Sequence, residues 1–419
     1  MARTNTLGNF LTDVADAIRT KKGSSDTILA SDFDTEIENL PSGGGATEAK
    51  EKDVNFYDHT GFRHYSYTKS EFLALESMPA NPEISGLTAQ GWNFTLAKAK
   101  EYVNYYGGLV IGQSYITNDG KTRVYIELDE GRLNPYLSVS VNGTAVIEWG
   151  DGTSNTITGT STYQNQKITT QHIYASGGKY VISISVTGEM AIVGQGYYSN
   201  MLLWNNQANQ QKLNRYYNRC IKKVEIGSNI ILGYGALSFS ELLESVSIPV
   251  GITTIGYEGF KQCRSLKIII LPSGVTSLDS EALSQLSNTK YISLPDSLVT
   301  FSSSPLVNVG LTKIYFSLAQ TISDSQYQFS SLLNISYLKM PNKLTSLNRD
   351  NFLYCDGLKF IDMSEYTQIP SITGTPAFNN TPDDCKIIVP DDLYEDWIGT
   401  NNWSNIASRI IKKSDYDAL

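Results

Sequence analysis

From about residue 223 onward, apolar positions recur every 23 residues. Prolines at 249, 272, 295 and 341 mark the interval, and Leu318 fills the skipped slot. Three residues before the slot stand Val246, Ile269, Ile292, Tyr315, Leu338 and Ile361. One residue before it stand Ile248, Leu271, Leu294, Ser317, Met340 and Met363. Eleven residues after it come Phe260, Leu283, Leu306, Phe329 and Phe352, and fourteen after it Cys263, Leu286, Val309, Leu332 and Cys355. One such unit holds too few apolar groups for a core of its own. The units must therefore stack, like residue on like residue, along a solenoid axis. The apolar triplet before each proline predicts one short strand per rung, ended where proline offers no N–H to the ladder. With rungs about 4.8 Å apart, Cys263 and Cys355 stand roughly 19 Å from each other, too far for a disulfide. Both read as small buried apolar residues.

Alternation along each strand turns the first and third residues before the slot inward, and the second and fourth outward. The outward positions are Ser245, Ile268, Tyr291, Ile314, Tyr337 and Phe360, with Ser247, Ile270, Ser293, Phe316, Lys339 and Asp362. Such a face is more apolar than a solvated sheet surface needs to be. Ile268, Ile270, Tyr291, Ile314, Phe316, Tyr337 and Phe360 are therefore expected to form an interface with another copy of the chain, or a ligand site. Plain strand propensity of Ile, Tyr and Phe is the competing account.

The pattern apolar–x–apolar–Pro, followed by "SGVTSL" and "EALSQLSNTK", resembles the BspA-like leucine-rich repeat family over about 223–382. "LESVSIPVGITTIGYEGFKQCRSLKIIILPSGVTSLDSEAL" carries it best. The resemblance implies a leucine-rich-repeat solenoid, with departures near 318 and 364. Residues 383–419 resemble the closing segment of such proteins: a strand ending at Pro390, then a helix with Trp397 and Trp403 over the open end.

The upstream pattern differs. Leu7, Phe10, Leu11, Val14 and Ile18 fall at helical spacing, and Lys21, Lys22 and Gly23 stop that helix. Residues 1–41 thus read as a helical assembly module too small to bury its own stripe, which calls for self-association, with packing on the chain's own downstream domain as the alternative. Residues 42–52 read as a flexible linker. Residues 53–133 read as a small α+β domain, with a hairpin around His59–Gly61, a capping box at Thr68 and Glu71, and a helix starting at Thr95. Asp119–Gly120 suits a hairpin turn between two alternating strands. Residues 134–192 alternate as a β-sandwich should, and 193–222 read as an aromatic N-terminal cap of the solenoid. "AVIEWGDG" and "HIYASGGKYVISISV" resemble the polycystic-kidney-disease-type (PKD-like) immunoglobulin-like module, a resemblance that makes Asp151 and His172 structural. The fold class expected is mainly β and multidomain.

Composition removes several classes of function. The net charge of −9 builds no footprint for nucleic acid. No run of 18 apolar residues suits membrane insertion. The N-terminus lacks a continuous apolar segment, so a cleaved secretion signal is not expected. The four cysteines are too few and scattered for a disulfide framework. His59, His64 and His172 come without cysteines or acids at metal spacing, so neither metal nor cofactor is expected. No nucleophile elbow, phosphate loop or zincin motif is present. Asp324, Asp350, Asp356, Asp362 and Glu365 are only default candidates for a glycan-cleaving acid pair, and an enzyme is not expected.

"VADAIRTKKGSSDTILASDFDTEIENL" and the segment from "VNFYDHTGFRHYSY" to "DGKTRVYI" resemble tail or baseplate-associated proteins of phages and prophages of gut Firmicutes. That resemblance implies a virion protein assembled in the host cytoplasm. It would dock on a baseplate or tail protein through its N-terminal module, trimerise, and grip a host surface glycan or protein with its solenoid. Three copies would raise avidity. A bacterial surface adhesin and a polysaccharide-depolymerising tailspike are the alternatives.

Overall fold

The structure, a computed structural model, describes residues 48–194, 201–203, 218–302, 304–318, 329–348, 351–373, 378 and 381–419. The stripe Leu7, Phe10, Leu11, Val14 and Ile18 lies outside the described residues.

The first unit is a four-stranded sheet. Strand β1 (Val54–Tyr57) pairs antiparallel with β2 (Arg63–Tyr67) and parallel with β4 (Leu109–Thr117), and β4 carries β3 (Leu87–Trp92) at its far edge. Thr68 and Glu71 form the capping box of α1 (Lys69–Leu73). Thr95 caps α2 (Leu96–Tyr106), which ends on left-handed Gly107. Phe56, Phe72, Trp92, Phe94 and Tyr102 form the core of this unit.

The turn at Asp119–Gly120 does not make a hairpin. Gly120 N–H bonds to Thr117 C=O at 3.1 Å, so the turn is tight. Yet the next strand, β5 (Thr122–Leu128), pairs with β9 (Gly178–Ile192) and β11 (Ile221–Glu225), not with β4. The turn passes the chain from one sheet to another. The change of sheet thus falls here, not at residue 133.

The next unit is built on two long strands, β6 (Tyr136–Glu148) and β9, paired antiparallel. They face each other at Gly143 and Gly188, both at positive φ. A Cβ on either would stand 2.1 Å from a carbonyl oxygen of the opposite strand, so only glycine fits this crossing. Strand β6 also pairs with β7 (Ser154–Thr160) along one half and with β8 (Ile168–Gln171) along the other. Trp149 and Tyr174 are buried here. His172 stacks on Trp149 at 4.6 Å and reaches Asp151 Oδ2 at 2.7 Å. The two quoted stretches thus close on each other as structure.

This unit is itself the start of the solenoid. Strand β5 pairs with β11, and β11 runs parallel to β13 (Ser245–Ser247). On the other side, β9 runs parallel to β12 (Ile230–Leu232), followed by β14 (Thr254–Ile255), β16 (Ser277–Leu278) and β18 (Thr300–Phe301). Two strand ladders therefore grow directly from the upstream sheets. In the segment expected to cap the solenoid, the described residues add only β10 (Leu202–Leu203) on β6, a short turn of helix and the first residues of β11.

The first ladder continues through β15 (Ile268–Ile270) and β17 (Tyr291–Ser293), then β19 (Tyr337–Lys339), β21 (Phe360–Asp362), β23 (Lys386–Val389) and β24 (Ile410–Lys412). The second resumes as β20 (Ser346–Asn348) and β22 (Ser371–Thr373). The columns read from the sequence are buried: Ile269, Leu271, Phe260, Cys263, Leu286 and Cys355 are each at 0% exposure. Phe329, Phe352 and Phe378 stack at 5.4 and 5.2 Å. All four cysteines are free and buried, and burial pushes the Cys355 thiol up to about 12. Helix α3 (Tyr394–Gly399) and Trp403 close the far end: Trp397 and Trp403 are fully buried, 5.3 Å apart, and Trp403 Nε1–H bonds to Pro370 C=O at 2.7 Å. Helix α4 (Lys413–Asp417) follows β24.

The side away from the first ladder carries a different backbone pattern. Gly235, Glu258, Glu281 and Ser304 have positive φ, as do Phe239, Gln262, Gln285, Asn308, Ser331 and Tyr354 four residues on in their rungs. The amides between them form continuous chains along the axis. Gly235 N–H bonds to Tyr257 C=O, and Glu258 N–H to Ser280 C=O. Leu237 N–H bonds to Gly259 C=O, Phe260 N–H to Ala282 C=O, and Leu283 N–H to Pro305 C=O. Phe239, Gln262 and Gln285 repeat the motif on Lys261, Ser284 and Val307. At the start, Tyr234 and Ala236 carbonyls accept from Gly194 and Met201.

Candidate functional site

The outward face of the first ladder was the expected binding surface. On β15 and β17 the register is Ile268↔Tyr291 and Ile270↔Ser293, which turns Ile269 and Ile292 inward as expected. Ile268 and Ile270 are nevertheless only 2% and 3% exposed. They pack beneath Tyr57 and Val110 of the four-stranded sheet, flanked by Tyr291 and Tyr315. The chain's own N-terminal unit covers the stripe, so neither a second copy nor a ligand occupies its centre. The approach is close because β4 has Gly112 here: a Cβ would stand 2.3 Å from Ile270 Cγ2.

Polar side chains of that unit dock on the ends of the rung strands. Asn93 is buried, and its amide nitrogen donates to Leu271 C=O and to Ser293 Oγ, each at 2.9 Å. Its Oδ1 accepts from Gly112 N–H at 2.9 Å, and Ser293 O–H donates to Val110 C=O at 2.7 Å. Tyr102, Tyr105 and Tyr106 share one face of α2. Their hydroxyls donate to Asp296 Oδ1 at 2.7 Å, Met340 C=O at 2.6 Å and Phe316 C=O at 3.0 Å. These docking residues were missed in the sequence; tyrosines three and four apart on a short helix were the available signal.

Ile314 and Phe316 are corrected differently. Both belong to the solenoid core, with Phe316 rings 6.4 Å from Phe301 and 5.0 Å from Phe329. Tyr315, expected inward, faces out and meets Tyr106 at 5.7 Å. The cause is a one-residue slip. Leu311 occupies the buried column of Leu266 and Leu358, so the spacings are 45 and 47 instead of 46 and 46 (311 − 266 and 358 − 311). A slip by one residue exchanges the faces of a strand. This rung lacks the proline, and residues 311–318 form no ladder strand.

Farther along, Tyr337 is 39% exposed and its hydroxyl bonds to Asp362. Tyr337 stacks on Tyr416 of α4 at 6.1 Å, and Phe360 meets the same ring at 4.9 Å. The C-terminal helix thus shields this end of the stripe.

What stays open is the seam between the two units. A cleft of about 770 Å³ is lined by Tyr57, Tyr291, Arg63, Glu48, Glu51, Lys267, Lys290, Asn288 and Asn334 among others. Tyr57 and Tyr291 stack at 5.0 Å. Arg63 Nη1–H donates to Tyr57 Oη at 3.0 Å, and Tyr291 O–H donates to Glu51 Oε2 at 2.9 Å. A second cleft of about 310 Å³ follows, lined by Tyr315, Tyr337, Lys313, Lys339 and Asp53, and Thr312 lies in both. Burial raises the Tyr57 and Tyr291 hydroxyls and pushes Tyr315 up to about 12, so all three stay neutral donors at physiological pH. Seams between units favour ligands, and tyrosine, amide and ammonium groups suit sugar rings and their hydroxyls.

The other candidates carry structural contacts. His64 Nε2 lies 2.9 Å from Asp58 Oδ2. His59 is 2% exposed, and burial holds its imidazole down at about 4. Asp362 is buried and accepts from Ser364 N–H and Tyr337, while Asp356 and Glu365 are exposed. Asp324 and Asp350 lie outside the described residues. Among the described residues no group of three or more His, Cys, Asp or Glu could hold a metal, and no helix is long and apolar enough to cross a membrane.

Two repeating ladders, stacked columns and a closed far end define a leucine-rich-repeat solenoid. Its repeats are of the BspA type: the family described as BspA type leucine rich repeat region matches in six copies, over residues 212–325 and 320–408. Two solved structures resemble the chain in part. One is a leucine-rich repeat protein from Bacteroides ovatus ATCC 8483, 21% identical, covering 39% of this chain and 48% of its own, with a TM-score of 0.31. The other is a leucine rich cell surface protein from Faecalibacterium prausnitzii A2-165, 17% identical, covering 45% of this chain and 63% of its own, with a TM-score of 0.28. The chain thus spans less than two-thirds of either structure. No curated protein matches it.

Proposed function

We propose that the chain is a non-enzymatic attachment protein, a phage tail fibre or receptor-binding protein that holds a host surface glycan or protein along its repeat solenoid. The observation that supports this reading is the seam. The strand face is covered at its centre by the chain's own N-terminal unit, which leaves tyrosine-, amide- and lysine-lined clefts across several rungs. The proposal includes a homotrimer gathered by Leu7, Phe10, Leu11, Val14 and Ile18 and docked on a baseplate or tail protein in the virion.

The test is a pull-down of labelled full-length protein on whole bacterial cells, with its mass followed by light scattering and the supernatant assayed for reducing ends. Saturable binding by a species of three times the 46.3 kDa chain, without sugar release, is the expected result. Release of reducing ends identifies a depolymerase instead, and binding by a monomer favours an adhesin. No binding to any cell of the host range removes the attachment role.

A further inference from the structure

Lys267 and Lys290 stand on neighbouring rungs, with Lys290 N–H bonded to Lys267 C=O at 3.0 Å. Both are exposed and line the larger seam cleft. Like charges on adjacent strands repel, and cations nearby are matched. Arg63 lies 3.8 Å from Glu48 and 3.7 Å from Glu51, and Lys52 lies 2.8 Å from Glu71. Lys339 lies 3.4 Å from Glu365. No carboxylate of the described residues is within ion-pair distance of Lys267 or Lys290. Lys313, on the next rung and in the adjoining cleft, is likewise exposed and has no carboxylate of the described residues within ion-pair distance. An excess of base does not explain this row, because the chain carries a net charge of −9. The two carboxylates that also line the cleft are engaged elsewhere: Glu51 accepts from the Tyr291 hydroxyl and both acids face Arg63. Between the walls, Ser287, Asn288, Thr312 and Asn334 supply neutral donors and acceptors.

We propose that this cleft is a subsite for an anionic glycan, with a sugar ring against Tyr291 and its carboxylate or phosphodiester held by Lys267 and Lys290. The proposal rests on the attachment reading above and names its ligand class. Two ammonium groups one rung apart span a single anionic substituent, while Asn288 and Asn334 are placed for ring hydroxyls. Polygalacturonate (a carboxylate polymer), a glycerol-phosphate teichoic acid and neutral dextran are titrated by calorimetry into the full chain and into Lys267→Ala/Lys290→Ala, whose fold is checked by circular dichroism. The expected result is binding of one polyanion, weakened at least about tenfold by the double substitution and by added salt, retained in Lys267→Arg/Lys290→Arg, and absent for dextran. The polyanion that binds tells carboxylate from phosphodiester. Equal polyanion binding by wild type and the alanine variant, binding of neither polyanion, or preference for dextran overturns the proposal. If the alanine variant still binds whole cells as wild type does, the lysine subsite is wrong and attachment stands. If wild type binds no cells, attachment itself fails.

Discussion

Gly112 decides how near the N-terminal sheet comes to the solenoid. With a Cβ 2.3 Å from Ile270 Cγ2, Gly112→Ala has to push the strand off its rung. Overpacking of this kind costs about 1–3 kcal/mol. A lower urea midpoint is expected, partly restored by Ile270→Ala in the same chain, which removes the Cγ1 and Cγ2 that a Cβ at 112 would strike, and a double-mutant cycle measures that coupling. A wild-type midpoint would show that the sheet does not sit this close. His59 sets a pH dependence at the same junction. Its ring meets Tyr115 at 5.4 Å, and Asp58, Lys223 and Glu225 are the charges that act on it. Burial holds its pKa at about 4 against 6.5 unfolded, so the unfolded chain binds the proton first as pH falls. Stability is therefore complete above about pH 6.5 and declines toward pH 4, by about 3 kcal/mol in all. Urea midpoints from pH 7 to 4 should fall less steeply in His59→Phe; equal slopes would place the effect elsewhere.

Elements show what the sequence carried and what it hid. The repeat columns were legible because each is a burial requirement repeated at fixed spacing, as were the capping box at Thr68 and the closure by Trp397 and Trp403. The slip at Leu311 was not. Its two irregular spacings cancel, so the period looks unbroken while Tyr315 and Phe316 exchange faces. Nor does Asp119–Gly120 say where its flanking strands go, since one tight turn serves a hairpin and a passage between sheets equally well. The apolar stripe was legible as a covered face, but its cover was not. Asn93 lies 178 residues from Leu271, and alternation along a strand carries no information about so distant a partner.

For the whole molecule, the N-terminal sheet serves as a lid on Ile268 and Ile270. Deleting residues 53–118 should leave the ladders paired but bare this patch, because β5 belongs to the solenoid side of the turn. Light scattering should then show particles larger than the assembly of the full chain, reduced by Ile268→Thr/Ile270→Thr. An unchanged mass would mean the stripe tolerates water. The amide chains on the opposite side have a further consequence. Their N–H groups all point toward the C-terminal rungs and their carbonyls toward the upstream unit, whereas in the ladders these groups alternate. At about 3.5 D per peptide, the solenoid becomes an electrically polar rod, negative at its start and positive toward its end. Two such rods attract head to tail and could grow into a filament. Gly194 and Met201 already fill the carbonyls of Tyr234 and Ala236, so two of the three amide chains are closed at the negative pole by the protein's own upstream residues and offer the next copy no free end.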